Sequence, residues 1–227
     1  MTVSVVIPAL DEAERIGATI DAAFAAGAAE VLVCDGGSRD ATISLAESHG
    51  ARVATGERTR GRQLNQGAQA ASGDTLIFLH ADTILPPGAA DTVERALGDH
   101  VFGGFRLEFL EPGLGHVARL INARTRLTRA PWGDQAQFAR RDMFLRMGGY
   151  PDLPIMEDYE LARRMMRLGP TTLLPLTVRT SGRRFLTNGV IRTTCTNWLI
   201  IAGYHAGVSP ARLARWYRGS LSSRLSS

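Results

Sequence analysis

The chain of 227 residues contains no lysine, and all 26 of its basic Lys/Arg-type side chains are arginines. A phosphate-binding loop of the G-x-x-x-x-G-K type requires a lysine, so the sequence excludes that loop. The segment Asp35-Gly36-Gly37-Ser38 follows an apolar run, but it does not fit the G-x-G-x-x-G fingerprint of dinucleotide-binding proteins. Both absences argue against an ATPase and against an NAD-dependent enzyme.

Paired cysteines and long apolar runs are also missing. The two cysteines, Cys34 and Cys195, lie far apart, and neither belongs to a zinc or redox motif. The apolar stretch 198–202 is far shorter than the ~20 residues that a membrane-spanning helix requires. The N-terminus has neither the basic lead nor the cleavage site of a secretory signal. We therefore expect a reduced, cytoplasmic protein that contacts a membrane only from its surface.

The first hundred residues alternate between short apolar runs and helical patterns. Strands separated by helices, each strand being almost continuously apolar, are typical of a parallel sheet that is buried on both faces. The sequence therefore predicts an α/β fold. The predicted strands are 3–8, 31–34, 51–54 and 75–79, and the predicted helices are 13–26, 39–48, 61–72 and 88–97.

Beyond residue 100 the alternation is looser. The patterns predict a strand at 102–109, a basic amphipathic helix at 114–127, and a Gly/Pro/Trp-rich bend at 130–135 that precedes a short strand. A helix is expected to open near Met156 and to run to about residue 168. Two further helical patterns lie between residues 188 and 216, separated by 207–210.

Acidic clusters follow three of the predicted strands. They are Ala9-Leu10-Asp11-Glu12, Asp35-Gly36-Gly37-Ser38 and His80-Ala81-Asp82. Ligands of open α/β sheets bind beyond the carboxyl ends of the strands, so these clusters are expected at one ligand-binding edge. Asp35 is able to accept a hydrogen bond from a nucleotide base or a ribose hydroxyl. An Asx turn or a helix cap is the alternative for this residue.

Three arginines, Arg58, Arg60 and Arg62, stand two residues apart before a predicted helix. Arginine forks and helix N-termini both suit phosphates, and the net charge of +4 favours an anionic partner. A solvated helix face and a nucleic-acid contact are the alternatives. Because no aromatic residues alternate with the arginines, a small phosphorylated ligand is favoured over nucleic acid.

Two pairs of residues suggest chemistry. His80 and Asp82 are able to bind a divalent cation whose remaining ligands are water and diphosphate oxygens, and imidazole suits Mn²⁺ better than Mg²⁺. The alternative is that Asp82 caps a turn while His80 forms a hydrogen bond within the core. Glu157 and Asp158 open a helix, where one carboxylate is able to act as a general base. Simple charging of a helix N-terminus is the alternative.

The order of these motifs is more specific than any one of them. The series IPALDE, VCDGGSRDAT, an arginine/glycine segment, FLHADT and GGY-x6-ED-x-EL-x-RR resembles the family 2 glycosyltransferases of the GT-A fold, over roughly residues 2–185. It looks closest to a small bacterial subgroup with an FLHADT motif. The resemblance implies a mostly parallel twisted sheet flanked by helices, with a Rossmann-like nucleotide-sugar-binding half (1–100), an acceptor and catalytic half (101–185) and a helical C-terminal extension (186–227).

The resemblance also implies roles for individual residues. Asp158 is the expected base with Glu157 beside it, and Asp82 with His80 is the expected metal pair. Gly36 stands where the family usually has a second aspartate, so the contacts of that carboxylate are not carried over. On the donor side the resemblance implies Pro8, Ala9, Glu12, Asp35, Gly37, Arg62 and Ala81. On the acceptor side it implies Gly133, Asp134 and Gln135. The residues expected to close over the diphosphate are Arg183 and Arg184.

The activity implied is an inverting transfer of a sugar from a UDP- or GDP-sugar to an acceptor hydroxyl, of a lipid or a small metabolite, with Mn²⁺ or Mg²⁺. No nucleic acid is expected as a partner, and the basic tail with Arg212, Arg215 and Arg218 is expected to hold the protein at the inner face of a membrane. One alternative is a nucleotidyltransferase of the same fold, although its glycine-rich basic loop is replaced here by the acidic segment 10–13. The other is a non-catalytic basic module that binds anionic lipid or nucleic acid.

Overall fold

The computed structural model of the chain describes the backbone of residues 2–222 and the side chains of residues 2–219. These residues form one eight-stranded sheet of order β3-β2-β1-β4-β7-β6-β8-β5. The strands are β1 (Val3–Ala9), β2 (Glu30–Asp35), β3 (Arg52–Thr55), β4 (Thr75–Phe78), β5 (Thr83–Ile84), β6 (Phe102–Phe109), β7 (Phe138–Arg140) and β8 (Thr171–Thr180).

The first half is a parallel sheet with a helix after each of its four strands. The helices are α1 (Ile16–Ala25), α2 (Thr42–Ser48), α3 (Arg60–Ala70) and α4 (Ala89–Ala96). Strand β1 is buried on both faces, because Val5 packs with α1 and α4 on one side while Val6 packs with α3 on the other. The last residues of β1 and β2 are in register, Ala9 pairing with Asp35. The carboxyl ends of these strands therefore meet at one edge, as the sequence predicts.

The second half mixes strand directions. Strand β7 runs antiparallel between β4 and β6, and β8 runs parallel to β6. Its helices are α5 (Gly115–Thr128), α6 (Arg141–Arg146), α7 (Glu157–Met166) and α8 (Arg183–Asn188), with a 3₁₀ turn at Gly133–Gln135. Strand β8 is not predicted by the sequence because Pro175 interrupts its pattern. The register between β6 and β8 shifts at Phe105/Arg106, and the proline lies in that irregularity, where it is exposed and needs no ladder partner.

The chain continues into two further helices, α9 (Val190–His205) and α10 (Pro210–Ser222). They pack on the start of α7 through a small core of Met156, Ile200 and Leu213. Tyr159 Oη lies 2.7 Å from His205 Nε2, which adds a polar contact between α7 and α9. No helix in residues 2–222 is long and apolar enough to cross a membrane. The expected boundary near residue 185 stays a prediction, and residues 223–227 lie outside the described part.

Candidate active site

The loops after β1 and β2 are fastened to each other by hydrogen bonds. The backbone N–H of Asp11 donates to Ser38 Oγ at 2.9 Å, and Arg39 N–H donates to Asp11 Oδ1 at 2.7 Å. Glu12 N–H donates to Thr42 Oγ1 at 2.8 Å. Each loop therefore supplies the partners of the other, which holds the edge beyond Pro8 and Ala9 in one shape.

Asp35 is fully buried, and its own turn uses both of its carboxylate oxygens. Oδ2 accepts the N–H groups of Gly37 and Ser38 at 2.7 and 2.8 Å, and Oδ1 accepts the Ser38 hydroxyl. This is the Asx-turn arrangement that the sequence leaves open as the alternative. Gln63 Nε2 donates to the carbonyls of Ala9 and Cys34, at 3.0 and 2.7 Å. A Cβ on Gly36 would lie only 3.0 Å from that nitrogen, so Gln63 occupies the space that a side chain at Gly36 needs.

Asp82 and His80 contact different arginines, Arg183 and Arg60. Arg183 Nη2 lies 3.5 Å from Asp82 Oδ2 and 2.6 Å from Glu12 Oε1, so one guanidinium bridges two carboxylates. Burial raises the pKa of Asp82, Arg183 opposes this rise, and the Glu12 charge adds to it. Glu12 Oε2 is buried without a hydrogen-bond partner. Ala81 is buried beneath this group, and its carbonyl accepts from Thr19 Oγ1 at 2.8 Å.

A second cluster lies where α3 meets α7. Arg60 Nε is 2.5 Å from Glu157 Oε1, its Nη2 is 3.5 Å from Asp158 Oδ2, and its Nη1 is 3.2 Å from His80 Nε2. Burial and the Arg60 charge lower the pKa of His80 to about 3, so the imidazole is neutral and its Nε2 accepts from Arg60. Burial opposes the Arg60 cation, but the two carboxylates outweigh it and raise the Arg60 pKa.

Asp158 is the best-supported acid of the site. Its Oδ2 accepts the Gly133 N–H at 2.8 Å, and its Oδ1 accepts the Tyr159 N–H at 2.8 Å. Burial favours the protonated form, but Arg60 and these two backbone donors outweigh it and keep the pKa of Asp158 below its ordinary value. A Cβ on Gly133 would lie 3.0 Å from Asp158 Oδ2 and 3.1 Å from His80 Nε2, so a larger residue would push the backbone donor away.

The 3₁₀ turn beside Asp158 combines a scaffold residue and an unsatisfied acid. Gln135 is fully buried and accepts from Thr125 Oγ1 at 2.6 Å while its Nε2 donates to the Phe105 carbonyl at 3.1 Å. Asp134 Oδ1 is buried without a hydrogen-bond partner, and burial raises the pKa of Asp134. Next to it, the Arg124 guanidinium stacks 3.4 Å above the Trp132 ring. Burial lowers the pKa of Arg124 to about 10.

A cavity of about 550 Å³, the size of a small-molecule site, is lined by Arg60, His80, Asp134, Glu157 and Asp158. The residues at the exits of β1 and β2, and Asp82, lie outside this lining. The cavity lining includes residues that the sequence does not single out, contributed by the bend and by α9 and α10: Trp132, Asn197, Ile200, Ile201, Ala214 and Tyr217. Arg62 is not among them. It lies 2.5 Å from Asp152 and 3.7 Å from Glu57 on the exposed side of α3, whereas its neighbour in the same arginine cluster, Arg60, enters the site. The cluster of arginines in the sequence indicates a positively charged site, but it does not indicate that Arg60 rather than Arg62 lines the cavity.

The two residues predicted to bind a metal ion, Asp82 and His80, contact different arginines in the structure. In the part of the chain that the structure describes, no group of three or more His, Cys, Asp and Glu residues is arranged to hold a metal ion. A cation bound mainly by diphosphate and water needs only one or two protein carboxylates, and Asp82 with the unsatisfied Glu12 Oε2 beside it fits that requirement. The His80 ring is directed at Arg60 instead, so its role as a ligand stays a prediction.

The sheet order and the acids at its edge define the GT-A class of fold. The family model described as glycosyl transferase family 2 matches residues 4–148, and the chain belongs to that family. A similar curated protein is glucosyl-3-phosphoglycerate synthase of Mycolicibacterium paratuberculosis, 37% identical over 97 residues. That match covers 37% of this chain and 30% of the relative, so the alignment spans less than a third of the relative's length.

Solved structures share the fold at low sequence identity. Glucosyl-3-phosphoglycerate synthase from Mycobacterium tuberculosis, in complex with Mn²⁺, uridine diphosphate and glucosyl-3-phosphoglycerate, superposes with a TM-score of 0.57 at 24% identity, over 78% of this chain and 70% of that one. TarS 1–349 from S. aureus superposes with a TM-score of 0.65 at 16% identity, over 85% of this chain and 64% of that one.

Proposed function

We propose that this protein is an inverting, metal-dependent glycosyltransferase that moves a sugar from a UDP- or GDP-sugar to an acceptor hydroxyl. The observation that carries the proposal is Asp158, a carboxylate with a lowered pKa at the wall of a cavity of small-molecule size. A general base must be ionised and within reach of the substrate, and the lowered pKa of Asp158 and its position in the cavity lining support that role. The relatives that bind uridine diphosphate with Mn²⁺ or Mg²⁺ support the same assignment.

The donor side is proposed at the exits of β1, β2 and β4. The loop held by Asp35 and Gly37 lies beside Pro8, Ala9 and Glu12, and the nucleotide is proposed to bind there. Asp82 is the proposed ligand of the divalent cation, with Arg183 as a second positive charge for the diphosphate. When bound, the cation neutralises charge that develops on the departing nucleoside diphosphate. Arg62 remains a proposed nucleotide-side residue, although its present partner is Asp152.

The chemical step is proposed at Asp158. The carboxylate takes the proton of the acceptor hydroxyl as its oxygen forms a bond to the anomeric carbon. The bond from that carbon to the diphosphate oxygen breaks on the opposite face, so one displacement inverts the anomeric centre. Arg60 and the Gly133 N–H keep Asp158 ionised and oriented, and Glu157 anchors Arg60. Gly133, Asp134 and Gln135 are proposed to shape the acceptor side.

A peripheral membrane contact is part of the proposal, with a lipid as one acceptor class. The outer face of α9 exposes an apolar stripe at helical spacing, formed by Ile191, Cys195, Trp198, Leu199 and Ala202. Trp216 is exposed on α10 beside Arg212 and Arg215. Apolar and tryptophan side chains with adjacent arginines suit the boundary between lipid headgroups and acyl chains.

The membrane contact is tested by flotation with vesicles that contain phosphatidylglycerol. We expect the double substitution Trp198→Ser/Leu199→Ser to reduce the bound fraction severalfold. Leu127→Ser, which removes an even more exposed apolar residue from α5, is the control and is expected to change nothing. Equal flotation of the wild type and the double variant contradicts the contact.

The activity is tested by titration calorimetry with UDP and GDP, with and without Mn²⁺, followed by a donor-hydrolysis assay with their sugars. We expect one nucleotide to bind at least tenfold more tightly with the metal. Asp82→Asn is expected to remove the metal dependence, while Asp99→Asn, in the turn between α4 and β6, leaves it unchanged. Metal-independent binding, or no binding of either nucleotide, overturns the proposal.

A further inference from the structure

Two adjacent arginines, Arg183 and Arg184, are directed into different parts of the molecule. Arg183 lies between Glu12 and Asp82, on the side proposed for the donor. Arg184 lines the cavity, where its guanidinium is 4.1 Å from the ring centre of Tyr217 and Nη2 donates to Asn197 Oδ1 at 3.1 Å. The sequence places both residues at the diphosphate, but the second belongs to the wall formed with α9 and α10.

Arg184 is incompletely satisfied in this position. Its Nε is buried and has no hydrogen-bond partner. Burial lowers the pKa of Arg184, and the only carboxylate that opposes this effect is Asp134, which forms no ion pair with it among the described residues. A partly buried guanidinium that lacks a carboxylate partner retains donors for an anion.

Two further arginines line the same cavity from other elements. Arg58 comes from the loop before α3, and Arg218 comes from α10, where its Nε donates to the Ala214 carbonyl at 3.3 Å. Within residues 2–219, neither forms an ion pair with a carboxylate. By contrast Arg60, Arg62 and Arg183 all do. Arg58, Arg184 and Arg218 therefore line the cavity without a carboxylate partner among the described residues.

The acids of the cavity do not neutralise these arginines. Glu157 and Asp158 are engaged by Arg60. Asp134 interacts mainly with Arg124, which is the strongest favourable charge acting on it. The cavity lining therefore combines three arginines that have no carboxylate partner with the two acids, Glu157 and Asp158, that Arg60 engages. A ligand that spans them needs an anionic end and a hydroxyl end.

We propose that the acceptor carries a phosphate or carboxylate group, and that Arg184, with Arg58 and Arg218, binds this anion while the hydroxyl is presented to Asp158. The apolar lining of Ile200, Ile201 and Tyr217 takes the carbon skeleton between the two ends. The C-terminal helices are therefore part of the acceptor site. This inference rests on the proposed transferase function for the role of Asp158, but the anion site itself does not.

The test is calorimetry on the full chain with UDP and Mn²⁺ at saturation, so that the donor side is occupied. Glycerol 3-phosphate and glycerol are compared as soluble probes, and detergent-dispersed phosphatidylglycerol serves as a probe for a lipid source of the same anion. We expect glycerol 3-phosphate or the lipid to bind and glycerol not to bind. Arg184→Gln is expected to weaken binding at least tenfold, because a charge-assisted hydrogen-bonded pair is lost. Arg119→Gln, which changes an exposed arginine of α5 outside the cavity, is the control and is expected to leave binding unchanged.

Three results overturn the inference: equal binding of glycerol and glycerol 3-phosphate, unchanged affinity in Arg184→Gln, or loss of anion binding when UDP and Mn²⁺ are present. If Arg184→Gln does not fold, as judged by its thermal melt, Arg58→Gln and Arg218→Gln at the exposed rim are measured instead, with a weakening of severalfold expected. If UDP does not bind, the proposed function fails. The anion site is then tested by measuring anion binding in the absence of nucleotide. We expect Arg184→Gln to weaken this binding more than Arg183→Gln does, and the opposite order overturns the inference.

Discussion

The loop of Asp35 and the cluster around Asp158 both place buried carboxylates at the same edge of the sheet, but they satisfy them differently. Three donors from residues 37 and 38 saturate Asp35, and the loops after β1 and β2 bond each other. Around Asp158 the charges are held by side chains from distant parts of the chain, and Asp134 Oδ1, Arg124 Nε and Arg184 Nε are left without partners. Buried polar groups are normally paired, so these three atoms are available to a bound ligand, as is Glu12 Oε2 in the loop after β1. The first region is held by its own backbone donors and is called the scaffold region, and the second is the proposed reactive region.

The largest effect is expected for Asp158→Asn. The amide keeps the shape of the carboxylate but is not a base, so transfer to an acceptor is expected to fall by about a thousandfold. Binding of UDP with Mn²⁺ is expected to be unchanged, because the donor side does not use this residue. The measurements are initial rates of transfer and calorimetry of UDP. Asp152→Asn, which removes a surface carboxylate near Arg62, is the control, and turnover surviving in Asp158→Asn would show that another group is the base.

Arg60→Met tests whether the reactive region depends on its central cation. Without Arg60, the buried Glu157 and Asp158 repel each other, so the pKa of Asp158 is expected to rise and the acid limb of the kcat profile to move to higher pH. We expect about 2 kcal/mol lower stability, since Glu157 loses its partner while the partly exposed Arg60 is screened by water. Both the pH profile and urea unfolding are measured. Arg62→Met is the control, and a profile that matches the wild type excludes Arg60 as the positioning residue.

The same two regions differ in how far the sequence predicts them. The runs 3–8 and 75–79 are apolar because the parallel strands are covered on both faces, so the strands and the acids at their ends could be predicted. The Arg60–Glu157 pair joins residues 97 apart in sequence, and only the packing of α3 against α7 decides that Arg60 rather than Arg62 enters the site. Strand β8 is not predicted because it contains Pro175, and proline ordinarily ends a strand. The bulge in β8 accommodates this residue.

Asp35→Asn breaks the scaffold region. The Asp35 carboxylate accepts three hydrogen bonds, and an asparagine amide is uncharged and has only one acceptor oxygen. We therefore expect the free energy of unfolding, measured by urea denaturation, to fall by about 1.5 kcal/mol. Nucleotide affinity is expected to fall with it, because the loop beside Ala9 loosens. Asp40→Asn is the control: Asp40 makes a comparable Asx turn with Thr42 at an exposed position, and its effect on stability is expected to be smaller. An equal loss in both variants would mean that burial of Asp35 adds nothing.

The last prediction concerns the pH dependence of stability and His80, whose neutral ring belongs to the proposed reactive region. Its pKa is about 3 in the folded protein and near 6.5 in an unfolded chain, so between these values the unfolded state binds the extra proton. Stability therefore rises with pH in this window and is lost as the pH falls from about 6.5 towards 3, with a slope of up to about 1.4 kcal/mol per pH unit from this one group. Urea unfolding at pH 7, 6 and 5 measures the slope. His80→Gln is expected to flatten it, whereas His116→Gln, at an exposed position of α5, leaves it as in the wild type. Identical slopes in the wild type and His80→Gln would mean that His80 is protonated in the folded protein, and a cationic ring cannot accept a hydrogen bond from Arg60.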